Sequence, residues 1–165
     1  MAAPALLAEP GRLWPLRAVA IGLGLVAAPL LWWGLLWAIG HRPPPVAPSG
    51  LSVAAAVLAA VVIAPLMETL ALAVLHWLAA IRLGAGLVPF VLLVAVAAVA
   101  AHWPPTVIRT PVTAAIFLVF AIQYSGWFRA RGFKVAFGGT ALAHAVYNGA
   151  VLALSPLWAV LLGPA

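Results

Sequence analysis

Residues 51–81 read LSVAAAVLAAVVIAPLMETLALAVLHWLAAI, and Glu68 is the only acidic side chain in this apolar stretch. A helix needs about 20 mostly apolar residues, each rising about 1.5 Å, to cross about 30 Å of hydrocarbon. The stretch is long enough for one crossing, and Pro65 near its middle raises the question of whether it makes two. The answer decides the number of spans and the topology of the chain.

The cations that flank the spans favour a single crossing. With one helix over 51–81 and a cytoplasmic N-terminus, six cations lie inside: Arg12, Arg17, Arg82, Arg129, Arg131 and Lys134. Only Arg42 and Arg109 then lie outside, whereas two crossings would leave only Arg12, Arg17 and Arg109 inside. Because cytoplasmic loops carry an excess of Lys and Arg, we predict one long helix, kinked or broken near Pro65.

The composition of the whole chain excludes a soluble protein. Of its 165 residues, 67% are hydrophobic and 6% are charged, against about 25% charged residues in an ordinary soluble domain. The net charge of +6 comes from scattered cations that form no basic stripe, so we expect no nucleic-acid partner. The absence of cysteine excludes disulfides, thiolate metal sites and cysteine nucleophiles.

Four polar or Pro-rich interruptions divide the chain into spans. The predicted spans cover about 16–40, 51–81, 87–103, 112–128 and 135–154. We therefore predict an all-α fold, a polytopic transmembrane bundle of about five helices that forms one membrane domain over 1–165. The segment from Pro43 to Pro48 is interpreted as a connection, and the first span as an uncleaved anchor. All eight tryptophans lie near a span end, where indoles contact lipid headgroups, and we expect a bacterial inner-membrane protein.

Four polar side chains lie well inside the predicted spans. An ionisable group there costs a few kcal/mol or more, so each one is a functional-site hypothesis. Counted from the cytoplasmic ends of their spans, Glu68 lies about 21 Å deep, His102 about 24 Å and His144 about 20 Å. Asn148 lies about 6 Å beyond His144 and on the same helical face. The similar depths predict one shared polar site.

These residue types suffice for hydrolysis of a peptide bond inside a membrane. A buried carboxylate can act as a general base toward water, which typically contributes about 10² to 10⁴ in rate. Imidazole and carboxamide groups can donate hydrogen bonds to the oxyanion of a tetrahedral intermediate. Glu68, His102 and His144 are also a usable ligand set for a divalent metal such as zinc, with water in the fourth position.

Three short segments resemble a known family. PLMET at 65–69, the lone His102 that closes an apolar helix, and HAVYN at 144–148 look like the motifs of the CAAX prenyl protease and bacteriocin-processing (CPBP, or Abi-like) intramembrane endopeptidases. The resemblance covers 51–154. It implies that Glu68 activates water, that His102 positions this water or binds the scissile carbonyl, and that His144 and Asn148 complete the catalytic site. It also implies a peptide or membrane-protein substrate.

The sequence departs from the family's usual pattern at three positions. Thr69 stands where a second glutamate is usual, Ala73 where an arginine is usual, and Ala98 where an aromatic residue is usual. These departures keep open a second interpretation, a catalytically degenerate relative that binds a partner in an immunity or scaffold role. A third interpretation is a protein that ligates a cofactor through His102 and His144.

Other polar residues are predicted to lie outside the site. His76 is expected to reach the membrane interface, because it lies near the end of its span. Gln123, Tyr124 and Ser125 are likewise expected to extend toward the headgroups. The cations Arg129, Arg131 and Lys134 are interpreted as topology determinants and contacts to anionic lipid.

Overall fold

The computed structural model describes residues 5–40, 52–103, 106 and 109–162, with side chains described as far as residue 155. The structure is 88% helical and the described residues contain no strand, which confirms the predicted all-α class. The predicted connection from Pro43 to Pro48 lies outside the described residues.

The described helices follow the predicted order of spans. They are α1 (Ala5–Ala8), α2 (Trp14–Leu25), α3 (Ala27–Ala38), α4 (Val53–Leu58), a π-helical turn (Ala59–Ile63), α5 (Ala64–His76), a second π-helical turn (Trp77–Arg82), α6 (Leu87–Ala101) and α7 (Arg109–Leu162). Three helical runs are long and apolar enough to cross a membrane: Trp14–Ala38, Val53–Arg82 and Arg109–Ser155. The chain is therefore a helical membrane protein.

Helix α6 is shorter than predicted. It has 15 residues and ends at Ala101, whereas a full crossing takes about 20. His102 leaves the helical conformation, with φ −99° and ψ 28°. The predicted third span therefore ends two residues earlier, and His102 follows its last turn.

The fourth and fifth predicted spans are the two arms of a helical hairpin within α7. Gly132 interrupts the helix with φ 77° and ψ −175°, a conformation that favours glycine. The rings of Phe117 and His144 lie 5.7 Å apart, although 27 residues of straight helix would separate them by about 40 Å. The chain therefore reverses at Gly132, between a first arm (109–131) and a second arm (133–162).

Pro65 marks an irregularity inside one continuous helical run, as predicted. In the π turn the Ala64 N–H bonds to the carbonyl of Ala59, so it does not bond to Ala60, its ordinary α-helical acceptor. The next residue, Pro65, is opposite Ala60 in the π register but has no N–H to donate. The Ala60 carbonyl is thus left for a donor from elsewhere in the protein.

The polar residues near the basic ends of the helices are buried, and the prediction that they reach the interface is wrong. His76, Gln123, Tyr124 and Ser125 are all buried. His76 packs against Phe90, Tyr124 and Phe128, with ring centroids 4.8–5.2 Å away.

Helix α1 explains part of this burial. A Cβ added to Gly126 would lie 2.5 Å from the Leu7 carbonyl oxygen, so the N-terminal segment packs directly on the first arm. The indole of Trp127 is fully buried and its Nε1–H donates to the Leu6 carbonyl, 3.3 Å away. The predicted headgroup contact of Trp127 is therefore wrong. Trp37, Trp77 and Trp103 are exposed at helix ends, and the side chain of Trp158 lies outside the described residues.

Candidate functional site

The structure brings Glu68 and His144 together. Glu68 lies on α5, one turn beyond Pro65, and His144 lies on the second arm of α7. Glu68 Oε2 and His144 Nε2 are 3.6 Å apart, which is within ion-pair reach and longer than an ordinary hydrogen bond. The His144 side chain is 6% exposed and that of Glu68 is 30% exposed. The imidazole is therefore enclosed, while the carboxylate keeps one open side.

Two phenylalanines of the first arm hold the His144 ring. The Phe120 ring lies 4.8 Å from it at 36°, and the Phe117 ring lies 5.7 Å from it nearly at a right angle. Edge-to-face and tilted contacts of this kind are favourable between aromatic rings. They leave the Glu68 carboxylate as the polar group opposite Nε2.

His102 reaches the same region from the end of α6. Its Nδ1 lies 2.7 Å from the carbonyl oxygen of Ala98, and because a carbonyl only accepts, Nδ1 is the donor. In the neutral ring Nε2 is then a free acceptor. His102 also lies 6.0 Å from Phe117, so this phenylalanine contacts both imidazoles of the site.

Glu68 and His102 line one cavity of about 180 Å³ between α5, α6 and the first arm. Its other lining residues are apolar: Ala71, Leu72, Leu75, Val94, Ala97, Ala98, Ala101 and Phe117. The arrangement combines a carboxylate, an imidazole acceptor and an apolar wall in one recess. It can hold a water molecule beside an apolar side chain of a ligand.

Asn148 contacts the same helical run at a different point. Its Nδ2 donates to the Ala60 carbonyl at 2.7 Å, the carbonyl that the π turn before Pro65 leaves without a helical donor. Asn148 lies one turn beyond His144. The second arm is therefore joined to the Val53–Arg82 run by two polar contacts, one at Ala60 and one at Glu68.

The four predicted site residues are thus arranged in two groups. Glu68, His102 and His144 surround one region, whereas the side-chain amide of Asn148 is engaged with a backbone carbonyl. Within the described residues, no group of three His, Cys, Asp or Glu side chains is arranged to hold a metal ion. The predicted zinc set of Glu68, His102 and His144 does not fit a metal in this conformation.

Sequence reasoning missed the residues that shape the site. Phe117 and Phe120 form its wall, and Thr69, Gln123 and Thr140 are buried polar residues on the elements that carry it. A glutamine or threonine in an apolar span is a sequence signal for a buried polar residue. The phenylalanines carry none, because lipid-facing and protein-facing aromatic residues look alike in a sequence.

The chain has no match among protein-family models, curated proteins or solved structures. The resemblance to CPBP endopeptidases therefore rests on the three motif segments alone.

Proposed function

We propose that this membrane protein is an intramembrane endopeptidase similar to the CPBP proteases, hydrolysing a peptide bond with water that Glu68 activates. The observation that carries the proposal is the contact of Glu68 with His144, 3.6 Å apart, beside a cavity that His102 shares. We further propose a bacterial inner membrane as its location, with the N-terminus in the cytoplasm.

The site residues divide the chemistry between them. Glu68 takes a proton from water, and the water oxygen attacks the carbonyl carbon of the scissile bond. The same carboxyl group then delivers this proton to the leaving nitrogen as the C–N bond breaks. One O–H bond and one C–N bond are lost, while a C–O bond and an N–H bond form.

The histidines have different roles. His102 Nε2, free because Nδ1 is bound to Ala98, accepts a hydrogen bond from the attacking water and orients it. His144 holds the carboxylate in place from its enclosed position among Phe117 and Phe120. Asn148 is a positioning residue, because it fixes the π turn that precedes Glu68.

The surroundings of the cavity favour an apolar substrate. Apart from Glu68 and His102, its wall consists of Ala, Leu, Val and Phe side chains, which match the side chains of a membrane-embedded peptide. The exposed side of Glu68 leaves room for the substrate backbone to approach. The expected substrates are accordingly peptides or membrane proteins cut at an apolar segment.

The proposal is tested by proteolysis in liposomes. The purified protein is reconstituted with a set of apolar transmembrane peptides, and the products are identified by mass spectrometry. Glu68→Gln keeps the shape of the side chain but cannot accept the proton, so we expect cleavage to fall by about 10² or more while helicity is unchanged. Glu9→Gln is the matched control, because Glu9 is the other acidic residue of the chain and is exposed. Cleavage by Glu68→Gln at the wild-type rate would refute the proposal.

The second candidate function is a degenerate relative that binds a partner without catalysis. It is favoured by the engagement of Asn148 with Ala60 and by Thr69 and Ala73 at the two motif positions that depart from the family. In that case Glu68→Gln and His144→Ala lose folding or partner binding together, and no separable loss of cleavage is found.

A further inference from the structure

Three polar residues are fully buried on the elements that carry the site. Thr69, Gln123 and Thr140 are 1%, 0% and 1% exposed. Four of their atoms have no hydrogen-bond partner in the described part of the protein: Thr69 Oγ1, Thr140 Oγ1, and both Oε1 and Nε2 of Gln123. Buried polar atoms almost always have partners, and a bound water is the usual one where the protein supplies none.

Gln123 and Thr140 lie at the same level of the α7 hairpin. Gln123 lies between two contacts of the first arm with the second, because Phe120 packs on His144 and Trp127 packs on Gly139. Thr140 lies between the same two contacts on the second arm, next to Gly139 and one turn before His144. Both side chains are buried, so they occupy the same layer of the interface.

Thr69 lies on α5 next to Glu68, at the level of His144. It follows Glu68 directly and lies on the same buried helical face as Ala73 and His76. His76 packs on Tyr124, with ring centroids 5.2 Å apart, and Tyr124 is the neighbour of Gln123. The buried face of α5 therefore runs from the level of His144, at Thr69, to the level of Tyr124, at His76, along the stretch of the first arm that carries Gln123.

We propose that Thr69, Gln123 and Thr140 form an internal water-binding site behind the Glu68–His144 pair. Two hydroxyls that donate and accept, one carbonyl acceptor and one NH₂ donor complement the two donors and two acceptors of water. This water site would be present whether or not the protein is an enzyme. Given the proposed function, it also supplies Glu68 with water from inside the protein, on the side away from the lipid.

The direct test is water-edited solid-state NMR of the protein in bilayers. Gln123 is the only glutamine in the chain, so a glutamine side-chain ¹⁵N label reports this group alone. We expect magnetisation to pass from water to the Gln123 amide although the side chain is fully buried, and Thr140→Val to reduce the transfer. The exposed Lys134, the only lysine, is the positive control. Transfer to Lys134 with none to Gln123 would overturn the proposal.

Thermal unfolding gives a second, independent test. Gln123→Met and Thr140→Val remove partners of the bound water with little change of volume, so each is expected to lower Tm by about 2 to 4 °C. The double variant should lose less than the sum, because one water network is lost in both. Thr113→Val is the matched control, a buried threonine on the first arm about 15 Å from Gln123 along the helix. A rise of Tm in Thr140→Val, or strictly additive losses, would contradict a hydrated site.

These outcomes are separable from those of the proposed function. Glu68→Ala, in which Gln123 stays the only glutamine, is expected to abolish cleavage and to leave the water transfer to Gln123 in place. Water transfer to Gln123 in a protein without protease activity would refute the endopeptidase and support the water site. Cleavage without water transfer to Gln123 would support the endopeptidase and refute the water site.

Discussion

Two histidines in the described part of the chain are equally buried and have different surroundings. Taken as whole residues, His76 and His144 are each 4% exposed, and aromatic rings pack against both. His76 contacts Phe90, Tyr124 and Phe128. His144 has the carboxylate of Glu68 within 3.6 Å.

The comparison shows that burial of an imidazole does not by itself mark a functional site. Aromatic edges can accommodate a neutral ring inside a helical bundle, and we interpret His76 as a packing residue on this basis. The carboxylate distinguishes His144, since an acidic group in an apolar span is costly unless it is paired.

Replacement of each histidine by alanine gives the largest expected contrast. His144→Ala removes the group that holds Glu68, so cleavage in liposomes should fall by about 10² or more. His76→Ala removes ring contacts only, so it should lower Tm and leave cleavage within a few-fold of wild type. Equal loss of cleavage in two folded variants would show that the two sites are not distinct in function.

The packing of the arm that carries His144 can be tested at a glycine of α2. A Cβ on Gly22 would overlap the backbone carbonyl of Ala143 and lie 2.9 Å from the Val146 Cβ, whereas a Cβ on Gly24 would meet nothing within 4 Å. Gly22→Ala should therefore lower the free energy of unfolding by about 1–3 kcal/mol.

The matched variant Gly24→Ala should raise the same free energy by up to about 1 kcal/mol, because alanine favours helix. Both are measured by unfolding in mixed micelles. If both variants had the same effect, α2 would not pack against the second arm in the way described.

The hydrogen bond of Asn148 should contribute less to the free energy of unfolding than the packing at Gly22. Asn148→Ala removes the donor to Ala60, and such bonds inside membrane proteins average about 0.6 kcal/mol. Pro65→Ala restores an N–H that can bond within the helix, so in that background Asn148→Ala should cost less still. If the effects of Asn148→Ala and Pro65→Ala were additive, the stabilisation by Asn148 would not depend on the π turn.

The smallest effect on cleavage is expected at the His76 end of the bundle. Trp127→Phe keeps most of the buried ring and loses the hydrogen bond to the Leu6 carbonyl, at a cost of about 0.5–1.5 kcal/mol. Cleavage should not change, because Trp127 lies beyond Gln123 and Thr140 from Glu68. A change of cleavage without a change of Tm would contradict this prediction, because it would show that Trp127 affects the site without affecting stability.

The parts of the fold that follow from fixed helical geometry were predictable. The rise per residue placed Glu68 and His144 at similar depths, and the structure joins them. The loop charges predicted one helical run across Pro65, and the structure has one run, Val53–Arg82. Spacing also placed Asn148 on the face of His144, although it could not show that the π turn offers a carbonyl there.

The errors have one physical cause. In a chain that is apolar nearly throughout, hydrophobic periodicity does not separate faces that contact lipid from faces that contact protein. His76, Gln123 and Trp127 were therefore assigned to the interface from their distance to a span end. Their burial depends on tertiary packing, including the docking of α1, which lies outside every predicted span.

The pairing of Glu68 with His144 inside the bundle is measured most directly by carbon–nitrogen distance NMR on the protein in bilayers. With ¹³C on the glutamate δ-carbons and ¹⁵N on the histidine rings, only Glu9 and Glu68 contribute acidic carbons. We expect a dipolar coupling between Glu68 Cδ and His144 Nε2, because Oε2, which is bonded to Cδ, lies 3.6 Å from Nε2. This coupling should be lost in His144→Ala. A folded protein without this coupling would contradict the account.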